Sequence, residues 1–257
     1  MASRGDAGTG RHSLDPVTAA REVLKELAAK GDPVKAQGAQ RYFKEEVKSY
    51  GVAAPDVHAL ARALYDRIKA DWTVEEAMAL CDILFEEPEL EPKAVGSLVL
   101  GRFKASFPPS LFARAKNWLA ADRLPGWASV DVFAPGCLGA FLERYPAYVG
   151  KIKTWAGHSN RWVRRASLVS FIKLARKAEF QPAIYEISAS IFGDEDDLIQ
   201  KANCWLLREA GKADPVRLES FLRRHGPAIP RTTLRYAIER FPPEKRQELL
   251  RDTKKLT

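Results

Sequence analysis

Apolar residues recur at the helical period along almost the whole chain. Between Val17 and Ala29 they fall at Val17, Ala20, Leu24 and Leu27. Steps of three and four put such residues on one face of an α-helix. The run from Val57 to Ile68 repeats the pattern with Leu60, Leu64 and Ile68, entered through Pro55 and Asp56. A third run, Thr73 to Phe85, opens on Thr73 with Glu76 three residues on, the spacing of a capping box. The same reading predicts helices over 91–105, 109–120, 128–143, 146–156, 160–177, 181–192, 196–211, 215–224, 230–240 and 243–251. Pro and Gly punctuate them, at Pro108-Pro109, Pro125-Gly126, Pro146, Gly157, Gly193, Pro215, Gly226-Pro227 and Pro242-Pro243. No stretch alternates as a half-buried strand would, so the pattern predicts an all-α protein.

The helices repeat. Val163-Arg164-Arg165-Ala166 is followed 36 residues later by Ile199-Gln200-Lys201-Ala202, and 35 after that by Leu234-Arg235-Tyr236-Ala237. Each is aliphatic, polar, variable, Ala, near the start of a helix that follows a shorter one. A two-helix unit of this period is the signature of HEAT and armadillo arrays. The Ala lets neighbouring helices approach, and the basic residue beside it projects from one edge of the stack. A HEAT-like solenoid is therefore expected over residues 16–257, one domain with a stripe of Arg164 or Arg165, Gln200 or Lys201, and Arg235 along its concave face. Residues 1–15 are polar, Gly-rich and mixed in charge, and are expected to be a disordered lead-in. They lack the apolar core of a signal peptide, so a cytoplasmic protein is expected, nucleoid-associated if its partner is DNA.

Composition sharpens this. The net charge is +8. On a soluble chain such an excess points to a polyanionic partner, and a basic concave stripe suits a DNA duplex. The cysteines, Cys81, Cys137 and Cys204, are odd in number and far apart, and His12, His58, His158 and His225 are scattered. This argues against a disulfide framework and against a metal site. With no phosphate-binding loop and no dinucleotide fingerprint, no cofactor is expected.

The candidate chemistry lies in aromatic residues placed beside charges. Trp127 and Asp131 are four apart, Trp162 and Arg165 three apart, and Lys201, Trp205 and Arg208 follow at i, i+4, i+7. Each group shares one helix face. Taken singly, a Trp at helical spacing belongs in a core and an Asp in a first turn caps a helix. Their recurrence in successive repeat units marks them as a set.

Four segments then resemble one family. Tyr42-Phe43-Lys44 followed by Tyr50-Gly51-Val52-Ala53-Ala54-Pro55, Trp127-Ala128-Ser129-Val130-Asp131, Arg161-Trp162-Val163-Arg164-Arg165-Ala166, and Gln200-Lys201-Ala202-Asn203-Cys204-Trp205-Leu206-Leu207-Arg208-Glu209 occur in this order. They resemble segments of the AlkD-type bacterial DNA glycosylases, which excise alkylated purines with a HEAT-like fold, and the last is the most specific. The likeness spans roughly residues 40–240. It implies that Asp131 is the catalytic carboxylate, that Trp127 and Trp205 wall the lesion's backbone and sugar, that Arg165 contacts a phosphate, and that Tyr42 faces DNA. Arg164, Trp162, Lys201, Arg208 and Arg235 join the expected DNA-binding set from their places on the repeats. One position departs from the family pattern: Ala128 stands where the family has an acid.

The resemblance implies a monomer that binds double-stranded DNA carrying alkylated bases. It implies hydrolysis of the N-glycosidic bond of 3-methyladenine or 7-methylguanine, approached from the backbone side without deep base flipping. A cationic alkylpurine leaves as a neutral base, so the chemistry reduces to an oxocarbenium-like sugar and a water. One carboxylate can serve both, and indole faces can stabilise the cation. Two other uses suit the same architecture. One is a non-catalytic binder of damaged, bent or branched DNA, and the other a protein–protein scaffold whose basic stripe takes an acidic peptide.

Overall fold

A computed structural model describes residues 14–253. Fifteen α-helices of four or more residues follow one another among the described residues. They are α1 Pro16–Ala29, α2 Pro33–Ala39, α3 Ala54–Ile68, α4 Val74–Leu84, α5 Leu90–Leu100, α6 Ser110–Ala120, α7 Gly126–Phe133, α8 Gly139–Arg144, α9 Val149–Lys153, α10 Arg161–Val169, α11 Gln181–Ser190, α12 Asp197–Ala213, α13 Pro215–His225, α14 Arg231–Ala237 and α15 Pro243–Asp252. The only β feature among the described residues is an isolated parallel bridge between Lys48 and Glu89. The fold is an all-α helical repeat.

Its layout follows from which helices touch. Helices α3, α5, α7, α10, α12 and α14 each pack on the next, forming one row. Helices α4, α11, α13 and α15 back that row, each against one of its members or a neighbour. The three repeat segments fall on α10, α12 and α14, consecutive members of the row. Their aliphatic and Ala positions (Val163, Ala166, Ile199, Ala202, Leu234 and Ala237) are buried at the contacts between helices. The small Ala is what lets adjacent backbones come this close. The core continues through the row from Ala19 to Leu249.

Local chemistry sets the helix ends. Thr73 and Glu76 form the expected capping box at α4. Asp15, Asp32, Asn160, Asp196 and Asp214 cap the starts of α1, α2, α10, α12 and α13 with their side chains, satisfying backbone N–H groups that a helix start leaves free. Of the expected lead-in, residues 1–13 lie outside the described residues. Leu14 and Asp15 belong to the fold: Asp15 caps α1, and the Leu14 carbonyl accepts the Trp72 indole N–H at 2.6 Å.

Several expected helices end early or are interrupted. The run expected over 128–143 is broken by a π-turn at Ala134–Leu138 between α7 and α8. Pro135 explains this, because it has no N–H to donate to the carbonyl four residues back, that of Asp131. The runs over 91–105 and 160–177 pass into tighter 3₁₀ turns after Leu100 and Ser170. The run over 146–156 is the short α9 between two 3₁₀ turns. Helix α2 was not expected. It buries no residue, so no apolar stripe betrays it.

Candidate functional site

Helix α7 opens on Gly126 at φ 83°, a backbone conformation that only glycine adopts cheaply. This turn delivers Trp127 in the first turn of the row's third member. The Phe43 ring stacks on the Trp127 indole with centroids 5.1 Å apart and planes within 16°. The indole N–H donates to the Tyr42 carbonyl at 3.3 Å. The segment carrying Tyr42 and Phe43 thus lies across the start of α7.

One turn on, Asp131 meets Arg165 from α10. The guanidinium donates twice to the carboxylate, Nε to Oδ1 at 2.8 Å and Nη2 to Oδ2 at 2.7 Å. Its Nη1 donates to the Leu198 carbonyl in the first turn of α12. Three consecutive helices of the row are therefore tied at one point. The Arg165 side chain is 6% exposed and that of Asp131 17%. Burial pushes the Asp131 carboxyl above its ordinary value, while the hydrogen bonds and charge of Arg165 pull the other way. The planar fork of Arg is what allows both carboxylate oxygens to be held. The π-turn begins three residues beyond Asp131, at a place where such turns often accompany function.

Helix α12 carries the rest. Trp205 is half-buried and packs on the core, seven residues from Leu198 and so on the same face. Lys201, one turn before it, pairs with Asp197 at 2.8 Å, and Lys44 reaches the same carboxylate at 3.5 Å. Arg161 joins Glu45 and Asp196. These pairs connect the segment around Tyr42 to α10 and α12.

The structure thus brings Tyr42, Trp127, Asp131 and Arg165 together, with Lys201 and Trp205 on the adjoining helix. Several expected DNA contacts are instead taken up within the fold. Arg165, expected at a phosphate, is committed to Asp131 and Leu198, because the α7–α10–α12 junction encloses it. Trp162, expected to touch DNA, is 7% exposed in the core, since the α10 face it occupies packs inward. Arg164 ties the loop before α12, through Asp194 at 2.7 Å, to the loop before α10, through the carbonyls of His158 and Ser159. Arg208 bonds Glu239 at 2.6 Å. Tyr42 and Arg235 are exposed, as expected. Ala128, with Val57, Leu98 and Val132, lines an apolar cleft of about 240 Å³ between α3, α5 and α7.

Sequence reasoning missed what holds the site's cover in place. Gln40 donates to the carbonyls of Phe43 and Glu45 at 3.3 and 2.8 Å and accepts from the Val47 N–H at 3.0 Å. Glu91, on α5, is buried and gathers the Ser49 hydroxyl at 2.6 Å and the N–H groups of Tyr50, Gly51 and Val52 at 3.0, 2.9 and 3.2 Å. Gly51 takes φ 77° there, and that glycine was the one visible signal of a tight turn.

Among the described residues no group of three His, Cys, Asp or Glu side chains stands together as a metal site. No described helix is long and apolar enough to cross a membrane. Comparison with curated proteins gives no match. A solved structure described as a predicted DNA alkylation repair enzyme from Enterococcus faecalis superimposes with a TM-score of 0.73 at 20% identity, covering 83% of this chain and 98% of that one. At that identity the likeness speaks for the fold. The sequence itself matches the family described as DNA alkylation repair enzyme over residues 23–241. The chain therefore belongs to the DNA alkylation repair enzyme family.

Proposed function

We propose that this protein is a DNA glycosylase that releases cationic alkylated purines from duplex DNA, acting as a monomer with Asp131 at the reacting sugar. The observation that carries the reading is the Asp131–Arg165 pair: a carboxylate held at both oxygens, one turn along α7 from Trp127. Such a carboxylate is fixed before substrate arrives, and preorganised charge is what stabilises a developing cation. Arg165 orients Asp131, a role that fits its burial better than anchoring a phosphate. Trp127 and Trp205 offer aromatic faces to the cationic sugar and base. Lys44, Lys201 and the exposed Arg235 are the cations for flanking phosphates, the first two by exchanging Asp197 for DNA. The duplex lies along the row α7, α10, α12 and α14, in the manner of a HEAT-like cradle.

The reaction needs little acid help, because the alkylated base departs neutral. Asp131 stabilises the oxocarbenium-like carbon and orients the water that attacks it. The test is release of 7-methylguanine and 3-methyladenine from methylated duplex DNA by the purified protein. Release supports the reading. A folded protein that binds duplex with a steep salt dependence yet releases neither base would be a non-catalytic binder, which the alanine at position 128 favours as the second reading.

A further inference from the structure

Residues 40–53 form a strap across the start of α7, fixed at both ends. At the near end the Gln40 amide closes a ring of bonds with Phe43, Glu45 and Val47. At the far end the buried Glu91 carboxylate gathers the Ser49 hydroxyl and three backbone N–H groups. Between them, Glu45 meets Arg161 on α10 and Lys44 meets Asp197 on α12. A segment with little regular structure beyond the 3₁₀ turn at Gln40–Tyr42 that is held at this many points is built to present something.

What it presents to α7 is Phe43. Its ring covers one face of Trp127 in near-parallel stacking, at 5.1 Å and 16°, and the neighbouring Tyr42 carbonyl takes the indole N–H. An indole in the first turn of a helix has few neighbours on its own element to fix its side-chain torsions. Here one face and one edge are held by the strap, the indole also packs on the core and it stays partly exposed; that exposed part is what a ligand can meet. At Gly126 a side-chain carbon would sit 3.6 Å from the Phe43 ring, so the turn into α7 passes directly beside the stack.

We propose that Phe43 is a positioning residue for base release: it holds the Trp127 indole at the angle that turns its exposed part to the cationic sugar and base. This rests on the reading of Trp127 as a wall of a glycosylase site. Phe43 touches no reacting atom and acts through Trp127. Small displacements of a positioned group slow a reaction steeply while leaving ground-state binding almost untouched. The consequence is a split between rate and affinity.

The experiment compares wild type, Phe43→Leu and Phe43→Tyr by single-turnover release of 7-methylguanine from methylated duplex, by duplex affinity and by melting temperature. The protein is also labelled with 5-fluorotryptophan, its Trp127 fluorine line identified by loss in Trp127→Phe. Phe43→Leu is expected to slow release on the order of 10–100-fold with affinity and melting unchanged, and to move the Trp127 line. Phe43→Tyr, which keeps the ring, is expected to restore both. Wild-type release by Phe43→Leu overturns the proposal, as does a slowing that tracks lost affinity or lost melting temperature. Phe43→Met, apolar but without a ring, repeats the comparison if the Leu variant fails to fold. If wild type releases no base, the glycosylase reading falls separately. The fluorine line then decides the positioning of Trp127: movement in Leu but not Tyr sustains it, and an unmoved line overturns it.

Discussion

Replacing Arg165 with Met removes the cation but keeps a long apolar stem, which isolates the electrostatic part of the α7–α10–α12 junction. In the native protein the guanidinium makes two bonds to Asp131 and one to the Leu198 carbonyl from a site where it is 6% exposed. Deleting one partner of a buried pair leaves the other charge enclosed, at a cost of about 3–5 kcal/mol. Asp131 retains some solvent contact, 17% of its side chain, so the loss should lie near 3 kcal/mol, the lower end of that range. The sign with pH follows from the titration of Asp131. Its carboxyl is already raised by burial, so the folded state holds that proton more readily than the unfolded chain. Stability tied to the protonated form is present below the unfolded value and lost as pH rises through the folded one. Removing Arg165 takes away the opposing pull, so the carboxyl should rise further. The stability gap between wild type and Arg165→Met should therefore be small in acid and widen toward neutral pH. Urea unfolding from acid to neutral pH, followed by circular dichroism, reads this directly. A gap below about 1 kcal/mol at neutral pH, the scale of an exposed pair, or one that does not change with pH, would refute the reasoning.

Other perturbations separate the parts of the site. Trp205→Ala should cut base release by more than the loss of stability accounts for. Half-burial limits that loss to about 1–3 kcal/mol, below the 3–5 of a core Trp, and a large drop in melting temperature with normal release would return Trp205 to the core alone. Arg235→Ala should lower duplex affinity and flatten the salt slope by about 0.9, and an unchanged slope in a fluorescence titration would remove it from the phosphates. Glu91→Gln should cost about 1–3 kcal/mol, because an amide cannot accept all the bonds the carboxylate collects. It should also free the strap, seen as faster amide exchange at Tyr50, Gly51 and Val52; unchanged exchange would contradict the account.

The legibility of the sequence differed between elements for physical reasons. Long amphipathic helices and the Val163, Ile199 and Leu234 repeats were readable because burial imposes a period on the residues themselves. The π-turn after Asp131 could have been foreseen from Pro135. Helix α2 could not, since it buries nothing. Spacing correctly placed Trp127 with Asp131 on one face of α7. It could not say that Arg165 and Trp162 point inward, because the enclosing surface comes from helices remote in sequence. The strap was hidden for the same reason: its anchor, Glu91, lies about forty residues from the backbone it gathers.

Single-turnover release of 7-methylguanine and 3-methyladenine from methylated duplex DNA, by wild type and by Asp131→Asn, tests the central claim most directly. Asn keeps one oxygen for Arg165 but leaves the buried cation without its anion, so the variant should lose stability, by about 3 kcal/mol, while still folding cooperatively and binding duplex nearly as wild type does. The account predicts release by the wild type and none above background by the variant. Release by both, or a variant that loses duplex affinity together with its helical signal, would make Asp131 a structural residue and contradict it.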